Sequence, residues 1–191
     1  MNRKKAILSI VVAGGGIVAG WSGYKWVRMN RVPDLQYLDN HKTMIADLAE
    51  TIIPRTDTPG AKDAGVHESI IAMIKTGSDR KTQNSFLDGL KDVEEYTGNH
   101  YSKSFSHLST ADQQDVLKHF RMKGKNFGGL AGKVKNKVLG KSFFTILKEY
   151  TTIAYCTSKP GATQGMAYEF IPGRYLPCTP LAANQKAWAT K

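Results

Sequence analysis

The chain has 191 residues, 41% of them apolar, two cysteines and a formal net charge of +11. The length fits one domain with an N-terminal segment, and the apolar fraction is enough for a real core. Two cysteines are too few for a structural zinc or an iron–sulfur cluster, and no C-x-x-C pair or C-x-x-C-H haem attachment site is present.

The charge is uneven. Residues 1–32 hold Arg3, Lys4, Lys5, Lys25, Arg28 and Arg31 and no acid; residues 116–148 also lack acids and are rich in lysine. Arg3, Lys4 and Lys5 precede an uncharged run from Ala6 to Tyr24, a positive flank before an apolar stretch. At about 1.5 Å per residue that run nearly spans a hydrocarbon core of about 30 Å. Trp21, Tyr24 and Trp26 stand beside Lys25 and Arg28, as interfacial anchors do. Residues 1–30 therefore read as an uncleaved anchor, a cleaved export signal or a buried helix, and residues 31–191 as the folded domain. The Gly14-Gly15-Gly16 run lacks the strand–turn–helix setting of a dinucleotide fingerprint.

The rest of the chain predicts an all-α fold, a compact domain of about five helices. Asp39 or Asn40 caps a first helix carrying Met44, Ile45, Leu48 and Ile52 at helical spacing, and Pro54 ends it. The loop that follows is stiff: Pro59-Gly60 is a turn dipeptide, and Asp57 with Thr56 and Thr58 can bond local backbone. Such a loop is either a well-made corner or a presented contact surface. Val66, Ile70, Met73 and Ile74 mark a second helix. Phe86, Leu87, Leu90 and Val93 mark a third, with Gly98 as its stop. Thr110 and Gln113 fit a capping box ahead of Val116, Leu117 and Phe120. The segment from Gly124 to Gly140 is basic and low in complexity: a solvated loop, or a basic lip for anionic lipid or an acidic partner. Phe143, Phe144, Ile146, Leu147 and Tyr150 form the strongest apolar face, running to about Tyr155. Residues 157–191, with four prolines, read as an extended arm laid on a partner through Tyr168, Phe170, Ile171, Tyr175 and Leu176.

Catalytic chemistry is hard to find. No serine sits in a nucleophile elbow, and His67-Glu68 lacks the metalloprotease spacing. His100 with His107, or His119 with Asp115, offers a metal pair on a helix face, against the plainer reading of exposed or capping histidines. Cys156 and Cys178 allow an internal bridge, a bridge to another subunit or free thiols, and connectivity stays open.

A set of motifs in order resembles one known family. Ile53-Pro54, Thr56-Asp57-Thr58-Pro59-Gly60-Ala61 and Asp63-Ala64-Gly65-Val66 open it. Phe86 with Gly89-Leu90, Phe105 with Leu108-Ser109 and Gln113-Gln114, and Phe143-Phe144 with Leu147-Lys148 follow. Thr157-Ser158, Gly161, Pro172-Gly173, Tyr175 and Cys178 complete it. Over roughly residues 40–180 the chain resembles the gluconate 2-dehydrogenase subunit 3 family, small accessory subunits of membrane-associated sugar and sugar-acid dehydrogenases. Cys178 falls where that resemblance places a cysteine; Cys156 falls where it places an aromatic residue. Arg3-Lys4 stands where the family often has a twin-arginine pair.

The resemblance implies a non-catalytic subunit with no cofactor of its own. Its partner would be a large FAD-dependent oxidoreductase of the glucose–methanol–choline type, with a haem-c cytochrome subunit often completing the complex. The place would be the periplasmic side of a bacterial inner membrane, anchored or exported. The role would be to stabilise, mature and help export the flavoprotein. Candidate interface residues are Pro54, Asp57, Pro59, Gly60, Phe170, Pro172, Tyr175 and Cys178. The alternative is a stand-alone membrane-anchored module whose basic stretch binds anionic lipid or another acidic partner. Nucleic acid is disfavoured, because that stretch carries no recognised motif.

Overall fold

A computed structural model describes residues 27–124, 140–171, 173, 178, 180 and 183–189. Among the described residues, a helical turn at residues 27–30 is followed by six α-helices: α1 (Gln36–Asn40), α2 (Lys42–Ile52), α3 (Val66–Gly77), α4 (Arg80–Tyr101), α5 (Thr110–Lys123) and α6 (Phe143–Thr157). A short 3₁₀ turn (Phe105–His107) lies between α4 and α5, and a π-helical turn (Gly161–Gly165) follows α6. The extended pairing among the described residues is one isolated parallel bridge, Ala167 to Trp188. The fold is all-α, and α2 to α6 correspond to the five helices predicted.

Each helix forms because its apolar residues recur on one face and meet the same core. The hub is α6, which touches α2, α3, α4 and α5. It buries Phe143, Ile146, Leu147, Thr151, Ala154 and Tyr155. Two separated motifs meet here for a physical reason. A Cβ on Gly89 of α4 would lie 2.2–2.4 Å from carbons of Phe143, so only glycine admits that ring. Phe143 then packs beside Phe86, 5.4 Å between centroids, and edge-on to Phe120 at 6.0 Å, tying α4, α5 and α6 together.

Several local expectations are corrected. Neither Asp39 nor Asn40 caps α2: both belong to the short α1, and His41 sits at the joint without a side-chain cap bond. Gly98 does not stop α4, which runs three residues further to Tyr101. Its end is Ser102, in the left-handed region at φ 52°, whose N–H bonds the Gly98 carbonyl. The cap of α5 is one residue earlier than Thr110 and Gln113. Ser109 Oγ accepts from Asp112 N–H at 3.2 Å and donates to the Asp112 carboxylate at 2.6 Å. The arm begins as packed structure: α6 ends at Thr157, Ser158 is extended, and the chain then turns helically again from Lys159 through Gly161–Gly165.

The boundary drawn after residue 30 falls inside a clamp. Asn84 of α4 has no exposed surface, and its amide donates to the carbonyls of Met29 at 3.0 Å and Arg31 at 2.8 Å. Arg28 and Arg31 both grip the Asp88 carboxylate, at 2.9 and 2.6 Å. The polypeptide leading out of the apolar N-terminal run is thus held on α4. Among the described residues no helix is long and apolar enough to cross a membrane. The predicted anchor at 6–24 and the basic segment at 125–139 lie outside the described residues.

Two predictions follow from these local contacts. Removing residues 1–26 leaves the clamp whole, whereas removing 1–31 strands two buried Asn84 donors, costing about 1–3 kcal/mol. Urea denaturation of the two truncations separates them; equal stability would contradict the clamp. Asp79 caps α4 by accepting from Thr82 N–H at 2.9 Å, and Thr82 hydrogen bonding holds its pKa below the ordinary carboxylate value. Asp79→Ala should cost about 1 kcal/mol at neutral pH. Because the folded-state value is the lower one, the cap contributes fully above the unfolded value, about 3.9, and fades as pH falls below it. Thermal melts of both proteins should therefore converge in acid, and a gap that persists at low pH would refute the cap.

Candidate functional site

The loop from Ile53 to Gly65 is held by groups on α2 and α6. The Glu50 carboxylate, in the last turn of α2, accepts the N–H of Arg55 at 2.9 Å and of Lys62 at 2.8 Å. Gly60 lies directly over it: a Cβ there would meet the two carboxylate oxygens at 2.3 and 2.6 Å and Arg55 N at 2.7 Å. Gly60 N–H bonds the Asp63 carboxylate at 3.1 Å, and Ala61 N–H bonds the Ile53 carbonyl at 2.9 Å, closing the loop at its neck. Lys62 reaches back to Asp47, a nearly buried carboxylate on α2. From the other side, Tyr155 of α6 donates its hydroxyl to the Pro59 carbonyl at 2.7 Å.

That last bond joins the loop to the root of the arm. Between them opens a cleft of about 360 Å³, lined by Arg55, Thr56, Asp57, Thr58, Pro59 and Asp63 of the loop and by Pro160 and Gln164 beyond α6. Past the π-helical turn the chain exposes Tyr168, Phe170 (82%) and Ile171 (72%). The tail returns to it. Ala167 donates its N–H to the Ala187 carbonyl and its carbonyl accepts from Ala189 N–H, each at 2.8 Å, which brings the exposed Trp188 alongside. A rigid polar loop and an exposed apolar arm therefore share one connected surface.

The structure places the candidate residues unevenly. Pro54 and Asp57 are exposed, Pro59 is half-buried and Gly60 is buried as the lid over Glu50. Phe170 and Cys178 are exposed; Pro172 and Tyr175 lie outside the described residues. Cys156 and Cys178 are both exposed free thiols in this structure. The suggested metal pairs do not assemble. His100 and His119 both stack on Tyr96, at 4.0 and 4.3 Å, while His107 bonds Ser104 Oγ and Asp115 pairs with Lys118. Among the described residues no group of three or more metal-ligating side chains gathers.

Two supporting residues were missed by sequence reasoning. Glu50 left a signal: an acid in the last turn faces the negative end of the helix dipole, an unfavourable place without local donors. Tyr155 left none, because its partner is 96 residues away. A second polar knot sits on the α1–α4 side. Tyr37 hydroxyl and His41 Nε2 both contact the Glu94 carboxylate, and burial, then that hydrogen bond, pushes the tyrosine pKa up. It packs α1 on α4 and lies apart from the loop.

Gly60→Ala should be among the most disruptive changes in the loop. The added methyl must displace Glu50 or the Arg55 amide, and overpacking of this kind costs about 1–3 kcal/mol. Chemical denaturation measures it; an unchanged midpoint would mean that the loop is not pinned as described.

The family model of gluconate 2-dehydrogenase subunit 3 matches residues 39–173, which takes in α2 to α6, the loop and the arm root. No curated protein and no solved structure matches the chain. With more than half of its length matched, the chain belongs to the gluconate 2-dehydrogenase subunit 3 family, and is thereby a subunit of an oxidoreductase complex.

Proposed function

We propose that this subunit performs no hydride chemistry and serves its complex by binding the large FAD-dependent subunit, of the glucose–methanol–choline type, through the loop–arm surface. The observation that carries the reading is the Tyr155–Pro59 bond, which sets the pinned loop beside an arm whose Phe170 and Ile171 are exposed. Large apolar side chains held out in this way fit the buried centre of an interface, and the polar loop fits its rim. The flavin would reside in the partner and, where a cytochrome subunit is present, haem c in a third chain.

Binding the folded flavoprotein and not its unfolded chain stabilises it by mass action, about 4 kcal/mol at a thousandfold excess over Kd. That linkage is enough to account for a role in maturation and in carriage through export. The basic flank and apolar run at residues 3–24 support a location on the periplasmic side of the inner membrane, anchored or exported.

The test is co-expression with the large subunit, followed by pull-down and by thermal circular dichroism of this subunit alone. Phe170→Ala should weaken association by about 1–4 kcal/mol, the range of interface hot spots, while the isolated subunit melts as before. A variant that melts many degrees lower yet binds normally would show that the arm serves its own domain instead.

A further inference from the structure

The cleft beside Asp57 has a charge pattern that points to a particular occupant. Its lining carries one cation, Arg55, and two carboxylates, Asp57 and Asp63. Arg55 is already committed, with Nη1 3.5 Å from Asp63 Oδ1, and Asp63 also accepts the Gly60 N–H. Asp57 is not neutralised: its bond is to a neighbouring hydroxyl, Thr56 Oγ1 at 2.9 Å, and no cation among the described residues pairs with it. Thr56 Oγ1 lies 3.3 Å from Thr58 Oγ1 and accepts the Thr58 N–H at 3.4 Å, so carboxylate and hydroxyls stand together at the mouth. The cleft is thus an acidic, hydroxyl-lined concavity.

We propose that the cleft receives an arginine side chain carried on an extended segment of the large dehydrogenase subunit, with Asp57 as its carboxylate partner. This rests on the interface reading above. A guanidinium suits the site better than an ammonium. It is planar and weakly hydrated, and it offers several fixed donors, enough to serve Asp57 and the Thr56 and Thr58 hydroxyls at once. The volume, about 360 Å³, leaves room for a long side chain and some of the backbone that bears it. The walls come from both Pro59 of the loop and Pro160 and Gln164 of the arm root, so one occupant touches both halves of the surface. Of the lining residues, Pro59 is held by Tyr155 and the Arg55 backbone by Glu50, so little ordering remains to be done on binding. Charge then supplies register: the carboxylate of Asp57, unpaired among the described residues, marks the one point of the cleft where a cation gains most.

The experiment uses the full chain and the co-expressed large subunit. Affinity is measured over a series of salt concentrations for the wild type, Asp57→Asn, Asp57→Lys and a control at an exposed acid on α4, Glu95→Gln. Wild type and control should bind alike. Asp57→Asn should lose about tenfold in affinity, roughly the value of one charge-assisted contact, and respond less to salt; Asp57→Lys should lose more. Asp57 is exposed and bonded only locally, so all variants should melt together. If the wild type does not bind, the interface reading fails and the cleft proposal with it. If the wild type binds and Asp57→Asn matches it at every salt concentration, the cleft proposal alone is overturned. Carbodiimide coupling joins a carboxylate to an amine but not to a guanidinium. An Asp57–lysine cross-link in the complex would therefore overturn the arginine assignment.

Discussion

Arg55 and Lys62 stand on opposite limbs of one loop, and both donate their backbone N–H to the carboxylate of Glu50. The shape of the candidate surface depends on this arrangement. A carboxylate in the last turn of a helix is opposed by the helix dipole, and here two fixed donors offset that cost. The close approach requires Gly60 above it, because any side chain there would strike the carboxylate. Prolines at 54 and 59 carry no N–H donor and narrow the loop's conformations further. The Thr-Asp-Thr-Pro-Gly-Ala motif thus makes a rigid shape out of backbone hydrogen bonds, with Asp57 and two hydroxyls left at its outer edge.

The second dependence is on α6. Its first residue, Phe143, enters the gap that Gly89 leaves on α4, and near its other end Tyr155 holds Pro59. One helix therefore sets the core and also places the arm root against the loop. α6 thus couples the packed core at Phe143 to the contact at Pro59 through one continuous helix. This coupling suits a subunit whose task is to present a shape to a folded partner. Rigid elements reduce the ordering needed on association, so more of the contact energy appears as affinity.

The helices were legible because their apolar periodicity is strong: Met44, Ile45 and Leu48, Ile70 and Ile74, Phe86 and Leu90, and Ile146 and Leu147 are all buried where the pattern put them. Ends were less legible. The capping box read at Thr110 and Gln113 is one residue late: the side chain that caps α5 is Ser109. Gly98 looks like a stop, yet the helix continues because the turn residue that ends it is Ser102. The loop motif was visible as a contact candidate, but its anchors were not: Glu50 acts through a loop fold and Tyr155 through a contact across the domain. The arm root was misread because Pro160 and Gly161 suggest extended chain, whereas after the break at Ser158 a new helical turn starts at Lys159 and runs through Pro160 into the π-helical turn.

The central claim is that a preformed loop–arm surface is the contact made with the large subunit. Hydrogen exchange of this subunit, free and then in complex, tests it most directly. The account predicts that the amides of Arg55, Ala61 and Lys62 are already slow in the free subunit, being bonded within the fold. On complex formation, new protection should concentrate at residues 56–59 and 164–171. Protection confined to the Tyr96 side of α4 and α5, with the loop and arm unchanged, would contradict it.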